Sequence, residues 1–250
     1  MFRRIHPDSA SLTAEEAAAV LRAVEPPADR PYLVLNMVAT ADGRITIGGR
    51  SGPIGNDADR ELFHELRAQV DAVMVGAGTV RTERYGRIVR DPDRRERRRQ
   101  AGLEPDPLAI VVSARLALDP DIPLLQDPDS RVVIVTASDG EVEGARAQVE
   151  YMRVAAGDEP GVLGLAPVMR ELRERGVRTV LCEGGPVLNG TLLEERLIDE
   201  LFLSIAPKLA GGAGPSVVAG PALEPPVEMD LVSALEADGH LFIRYRISKY

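Results

Sequence analysis

The sequence is poor in the residues that bind metals or cross-link chains. It has one cysteine, Cys182, and three histidines, His6, His64 and His240, far apart from one another. One cysteine excludes an internal disulfide framework and cysteine-based zinc clusters, and the histidines lack metal-ligand spacing, so no metal site is expected. Cys182 ends an apolar run and reads as a buried, inert thiol rather than a nucleophile. There is no Walker lysine, no Gly-x-Ser-x-Gly and no Ser/His/Asp set, which leaves nucleophilic hydrolysis unsupported. No stretch has about 18 consecutive apolar residues, so no membrane span is expected. The first 32 residues carry an arginine pair but no apolar core of a signal peptide, and a cytoplasmic location is the expectation.

What is present suits a globular enzyme. The chain has 250 residues, 44% hydrophobic and 28% charged, enough for one sizeable core or two small domains. A net charge of −9 weighs against a nucleic-acid surface. One patch opposes that average, "RDPDRRERRRQ" from Arg90 to Gln100. It has no interleaved aromatics and reads as a solvated mobile loop, with RNA or phosphate binding as the alternative.

Strands and helices alternate along the body. Thr13 and Glu16 form a Thr-x-x-Glu capping box ahead of a short helix. Residues 1–31 read as a peripheral arm, with dimer contact as the alternative, and 32–250 as one domain. "YLVLNMVAT" (32–40) reads as a strand. "NDADRELFHELRAQV" reads as a helix capped by Asn56 or Asp57, with Leu62, Phe63, Leu66 and Val70 on one face. "DAVMVGAGTV" turns from strand into helix, and "PLAIVVS", "RVVIVTAS", "VEYMRV" and "VRTVLC" are short buried strands. "GVLGLAPVMRELRERG" is a helix with Leu165, Val168, Met169 and Leu172 at helical spacing and Gly176 as its cap. Residues Val187 to Leu193 form another. "VEMDLVSALEADGHLFIRYRIS" is a hairpin on Asp-Gly. The fold class is therefore α/β, a mostly parallel twisted sheet ending in an antiparallel hairpin.

Four loops fall at carboxyl ends of strands, where open α/β sheets bind ligands: "NMVATADGRI", "GAGTVRTERYG", "VVSAR" and "EGGPVLNG". Gly76, Gly78 and Thr79 stand where one helix begins, and Gly184, Gly185 and Pro186 where another does. Exposed N–H groups and the positive dipole end favour phosphate at such points. Neither loop is a Gly-x-Gly-x-x-Gly fingerprint, and each alone is equally a tight turn. Together they point to a phosphate-rich cofactor. Asp42, on the "TADGR" turn, is either a proton-handling carboxylate or a plain turn residue. Glu183, beside the glycines, is either functional or satisfied by backbone N–H groups.

"NMVATADGRI", "SGPIGNDADRELFHELRAQVDAVMVGAGTVRTE", "CEGGPVLNGTLLEERLIDELFLSIAPKLAGG" and the final hairpin, in this order and spacing, resemble the reductase of riboflavin biosynthesis, the 5-amino-6-(5-phosphoribosylamino)uracil reductase family. The resemblance spans about residues 32–247. It implies a dihydrofolate-reductase-like fold, NADPH as cofactor, a phosphorylated ribosylaminopyrimidine as substrate, and a homodimer. It implies Val38 to Thr40 against the nicotinamide and Asp42 as the catalytic group, one that handles the proton or orders the site. Ser51, Arg67, Arg90 and Glu183 match substrate positions, and Arg87 falls near one. Pro53, Gly76, Thr79 and Glu83 match or lie at cofactor positions, Glu83 replacing an Asp. Gly185 to Thr191 match the diphosphate turn, with Gly184, Gly185, Pro186, Val187 and Leu188 as its cofactor-binding residues. Ser113 and Arg115 fall to the adenosine end, Arg115 suiting a 2′-phosphate. "RTERYG" departs from the family's Asp-Asp-Pro. The zinc deaminase motifs of bifunctional members are absent, which implies a separate deaminase. The alternatives are a pterin or dihydrofolate reductase and a catalytically inactive nucleotide-binding protein.

Overall fold

The computed structural model describes residues 1–155 and 163–248. The chain runs β1 (Phe2–His6), β2 (Ala10–Leu12), α1 (Ala14–Ala18), β3 (Tyr32–Thr40), α2 (Asp57–Gln69), β4 (Ala72–Gly76), α3 (Ala77–Thr82), α4 (Pro92–Gln100), β5 (Leu108–Val112), α5 (Pro123–Gln126), β6 (Arg131–Thr136), β7 (Gln148–Arg153), α6 (Ala166–Glu174), β8 (Thr179–Cys182), α7 (Pro186–Glu194), β9 (Glu200–Ala206), β10 (Met229–Ala237) and β11 (His240–Ile247). All strands join one sheet in the order β2-β1-β10-β11-β9-β3-β8-β4-β5-β6-β7. From β9 to β7 every pairing is parallel, and from β9 to β2 every pairing is antiparallel. The expected mostly parallel α/β domain with a closing hairpin is what the chain forms. The predicted α6 segment begins at Gly161 and Val162, which lie outside the described residues.

The parallel strands are apolar on both faces because helices cover both. One core joins Val73, Val75, Val111 and Ile134 to Leu62 and Leu66 of α2 and Leu21 beyond α1. The other joins Met74, Ile110, Val135 and Cys182 to Met169 and Leu172 of α6 and Leu192 of α7. The crevice between α2 and α7 opens where β8 sits between β3 and β4, at their carboxyl ends.

Two segments differ from expectation. The first residues are not only an arm with a helix. Thr13 and Glu16 do form their capping box, but β1 pairs with β10, β2 pairs with β1, and Phe2 is buried edge-on against Phe242 with ring centroids 5.0 Å apart. The alternation in "FRRIH" is too short to announce a strand before its partner is known. The arginine run is not a mobile loop either. Asp91 caps it through the amides of Asp93 and Arg94, and it folds as α4 against α2. Arg94 and Arg97 reach Glu65 at 2.7 and 2.8 Å. Arg98 is 1% exposed and donates to the carbonyls of Ala68, Val70 and Glu104, closing the end of α2. Burial pulls its guanidinium down to about 10, still charged at neutral pH. Arg98→Met leaves those carbonyls without a donor and is expected to cost about 1–3 kcal/mol, read from urea unfolding midpoints.

Candidate active site

The strand ends of the crevice enclose one cavity of about 880 Å³. β3 brings Val38 to it, the start of α3 brings Gly76 and Thr79, and the loop after β5 brings Ser113 and Arg115. Glu183, Gly185, Pro186, Val187 and Leu188 form the edge after β8. Ser51, Glu83, Arg87 and Arg90 close the opposite side, with Arg67 on the α2 wall. Residues scattered over more than 140 positions of sequence thus meet at one place.

The Gly-Gly joint is built for close approach. Gly184 has φ +79°, a conformation that favours glycine, and its carbonyl accepts from the Gly76 amide at 2.7 Å. A Cβ on Gly185 would stand 3.1 Å from Thr79 Oγ1. Helices α1, α2 and α4 are capped by Thr13, Asn56 and Asp91, whereas α3, α5, α6 and α7 have no side-chain cap. The first helical bond of α7 comes from the Asn189 amide to Gly185 O at 3.0 Å. The amides of Val187 and Leu188 precede that bond and lie on the cavity, a donor set suited to a diphosphate.

Helix α2 lays Asp59, Phe63 and Arg67 along the cavity at four-residue spacing. Phe63, expected on the core face, instead carries the Arg67 guanidinium 4.1 Å over its ring. Arg67 makes a two-pronged bond to Glu183, both contacts at 2.7 Å, and donates to Ile88 O at 3.2 Å. Tyr85 donates its hydroxyl to the same carboxylate at 2.6 Å. Burial would lower the Arg67 pKa, but Glu183 outweighs it and raises the value. Burial, reinforced by Glu183, holds the Tyr85 phenol protonated. Arg67 and Glu183, both predicted to touch substrate, are therefore engaged with each other.

The loop before α2 is pinned from two sides. Ser51 donates through its amide and hydroxyl to Glu83 Oε1 at 2.8 and 3.0 Å. Lys208 holds the carbonyls of Pro53 and Ile54 at 2.7 and 2.9 Å. Arg87 is bound to Asp106 and Asp129 at 2.6 and 3.0 Å. Arg90 and Arg115 line the cavity and form no ion pair with any described residue, as do Arg81 and Arg84, and of these Arg90 and Arg115 are the two at positions expected to meet an anion.

Four predicted residues stand outside the lining. Gly184 builds the turn, and Pro53 serves the Lys208 clamp. Thr40 donates to Asp42 at 2.5 Å and accepts from the Arg44 amide at 2.9 Å. Asp42 does not face the cavity. It accepts from Thr40 and from the amides of Ala210 and Gly211, at 3.1 and 2.7 Å. Those bonds, Thr40 first, hold its carboxyl well below the usual carboxylate range, the reverse of what a proton donor needs. Its charged form thus favours the fold above the ordinary carboxylate pKa, and that benefit fades as pH falls toward the folded value. Asp42→Asn is expected to lower the melting temperature at pH 7, with the gap to the parent closing in acid.

Cys182 is fully buried and its thiol is pushed up to about 12 by burial, in keeping with an inert role. No group of side chains able to hold a metal ion exists among the described residues, and no described helix is long and apolar enough to cross a membrane. Asp59, Phe63 and Tyr85 also line the cavity, beyond the residues expected from the sequence. The four-residue spacing from Asp59 to Arg67 was the available signal.

A single-sheet α/β protein with one crevice at its strand ends, an uncapped helix start on one side and free arginines on the other, defines the class. The model of the RibD C-terminal domain matches residues 31–242, and the chain belongs to that family. It is 32% identical over 184 residues to the 2,5-diamino-6-ribosylamino-4(3H)-pyrimidinone 5′-phosphate reductase of Archaeoglobus fulgidus, covering 73% of this chain and 83% of that one. It is 30% identical over 200 residues to the riboflavin biosynthesis protein RibD of Escherichia coli, covering 78% of this chain and 53% of that one. A pyrimidine reductase-like protein of Corynebacterium diphtheriae shares the fold, with a TM-score of 0.78, 22% identity, and 96% and 100% of the two chains covered.

Proposed function

We propose that the chain is an NADPH-dependent oxidoreductase that reduces the ribosyl group of 5-amino-6-(5-phosphoribosylamino)uracil to the ribitylamino product in riboflavin biosynthesis. The observation that carries this reading is the single cavity joining the uncapped start of α7 to Ser51 and Arg90. The cavity fits the cofactor: Gly185 leaves open the space that a Cβ would fill beside Thr79, and the Val187 and Leu188 amides await acceptors. When bound, NADPH supplies the hydride. Arg115 offers an unpaired guanidinium to a 2′-phosphate, next to Ser113. Val38 gives a flat apolar wall at the nicotinamide end. Arg90 takes the phosphate role expected of Arg67, whose donors are in use, and a free guanidinium can grip phosphate with two bonds. The protein's share of catalysis is to align C1′ of the sugar with the hydride and exclude water.

A second substrate, the pyrimidine before deamination, is favoured by the similarity to the Archaeoglobus pyrimidinone phosphate reductase, 83% of whose length is matched. In either case deamination falls to a separate protein. The outer face of the antiparallel half also exposes Met229, Leu231 and Leu241, which supports a homodimer that covers it.

The test is substrate-dependent loss of NADPH absorbance with the aminouracil phosphate, the diamino phosphate and dihydrofolate in parallel. Turnover of the aminouracil phosphate supports the reading, and turnover of the diamino compound alone moves the enzyme one step earlier. Turnover of dihydrofolate alone, or none with tight NADPH binding, sinks it.

A further inference from the structure

The cavity contains a carboxyl group that the account above leaves without a task. Glu183 is held by Arg67 and Tyr85, Glu83 by Ser51, and Asp91 caps α4. Asp59 also lines the cavity, and no described cation forms an ion pair with it. Its neighbour Arg60 is paired with Asp57 instead. The Asp59 carboxyl lies against the Gly55 backbone, where any side chain on Gly55 would collide with it, and the nearby Ser204 hydroxyl favours its charged form. Ser204 stands opposite Val38 in the β3–β9 register, and Asp59 and Val38, the residue assigned to the nicotinamide, line the same cavity.

The reaction consumes one proton as well as a hydride, and some group must deliver it. Resting on the proposed reduction, we infer that Asp59 is the catalytic acid that protonates the ribosyl ring oxygen as the sugar ring opens. The C1′–O4′ bond breaks, its electron pair goes to O4′, and O4′ takes the Asp59 proton. The lone pair of the exocyclic nitrogen forms a C1′=N bond. C1′ then takes the hydride, the π pair returns to nitrogen, and the ribitylamine results. Water restores the proton to Asp59.

The surroundings suit an acid. Burial raises the Asp59 pKa above the usual carboxylate range, while the Ser204 hydroxyl, His240 and Arg60 pull the other way. Asp57 is turned to Arg60. On β11, His240 Nδ1 accepts from Asn56 Nδ2 at 3.0 Å, which ties that ring to the helix cap beside Asp59. A carboxyl with raised pKa is protonated below that pKa and ionises above it, so the rate falls as pH rises through it.

The experiment compares the parent, Asp59→Asn and Ser204→Ala with the aminouracil and diamino phosphates across pH, with NADPH affinity by fluorescence and carboxyl titration by 13C NMR. Asp59→Asn is expected to lose about a hundredfold or more in kcat, the size of general-acid effects, while binding NADPH within about twofold of the parent. It should lack the high-pH limb. Ser204→Ala removes a hydroxyl that favours the charged form, so its limb should move to higher pH. In the parent, the resonance absent from Asp59→Asn should titrate above the ordinary aspartate range. An Asp59→Asn enzyme within threefold of the parent at every pH overturns the inference and leaves the reductase standing. So does an Asp59 resonance at or below the ordinary range. A parent that binds NADPH but turns over neither substrate overturns the reductase and this inference with it.

Discussion

Arg67→Met is expected to unfold at about 3 kcal/mol less stability than the parent and to lose measurable turnover. Arg67 and Glu183 are both deep in the wall of the cavity, with side-chain exposures of 9% and 2%. Removing one partner leaves a carboxylate with little water and only Tyr85 to hold it, and orphaning a buried charge costs about 3–5 kcal/mol. The low end applies because Arg67 edges the cavity. The double variant Arg67→Met, Glu183→Leu should regain part of the stability, since it orphans no charge. It should regain no activity, since the wall it rebuilds has the wrong chemistry. Urea unfolding and NADPH oxidation of the three proteins separate the two effects. Equal stability of parent and single variant would show that the pair is spectator to the fold.

Gly190→Ala should be nearly as damaging, for a steric reason. Gly190 is buried on α7, and a Cβ there runs into the Ala219 carbonyl, which is backbone and has no rotamer to change. The Ala219 amide in turn donates to Pro186 O at 3.0 Å, at the start of α7. Overpacking of this kind costs about 1–3 kcal/mol. Displacing the 215–220 segment also disturbs the helix start assigned to the diphosphate, so NADPH affinity should fall with stability. Glycine to alanine in mid-helix would otherwise stabilise by roughly 0.5–1 kcal/mol, so the sign of the change is itself the test.

The elements that read correctly from sequence are those whose own pattern decides them. β3 through α2 to β4, and α7 after β8, have apolar runs bounded by Asn56, Gly76 or Gly185, and these set both ends. The final hairpin turns on Asp238 and Gly239, as the dipeptide indicates. The elements that differ from expectation depend on distant partners. β1 is a strand because β10 is there to pair with it, and α4 is ordered because Glu61 and Glu65 of α2 neutralise its arginines. The same holds in the site. Spacing marks Gly76, Gly78, Gly185 and Thr79 as cavity residues, since a strand-to-helix joint puts them there regardless of neighbours. It could not show that Arg67 closes on Glu183, 116 positions away, or that the Asp42 turn is tied to Ala210 and Gly211 rather than facing the cavity. Phe63 was assigned to the core because helical periodicity marks an apolar stripe without saying whether protein or ligand covers it.

The most direct test of the central claim follows the hydride. The enzyme is given NADPH deuterated at nicotinamide C4, with the phosphorylated ribosylaminopyrimidines as substrates, and the product is examined by NMR and mass spectrometry. One deuterium at C1′ of a ribitylamino phosphate is the predicted result. Consumption of NADPH with no label in the ribityl chain contradicts the account.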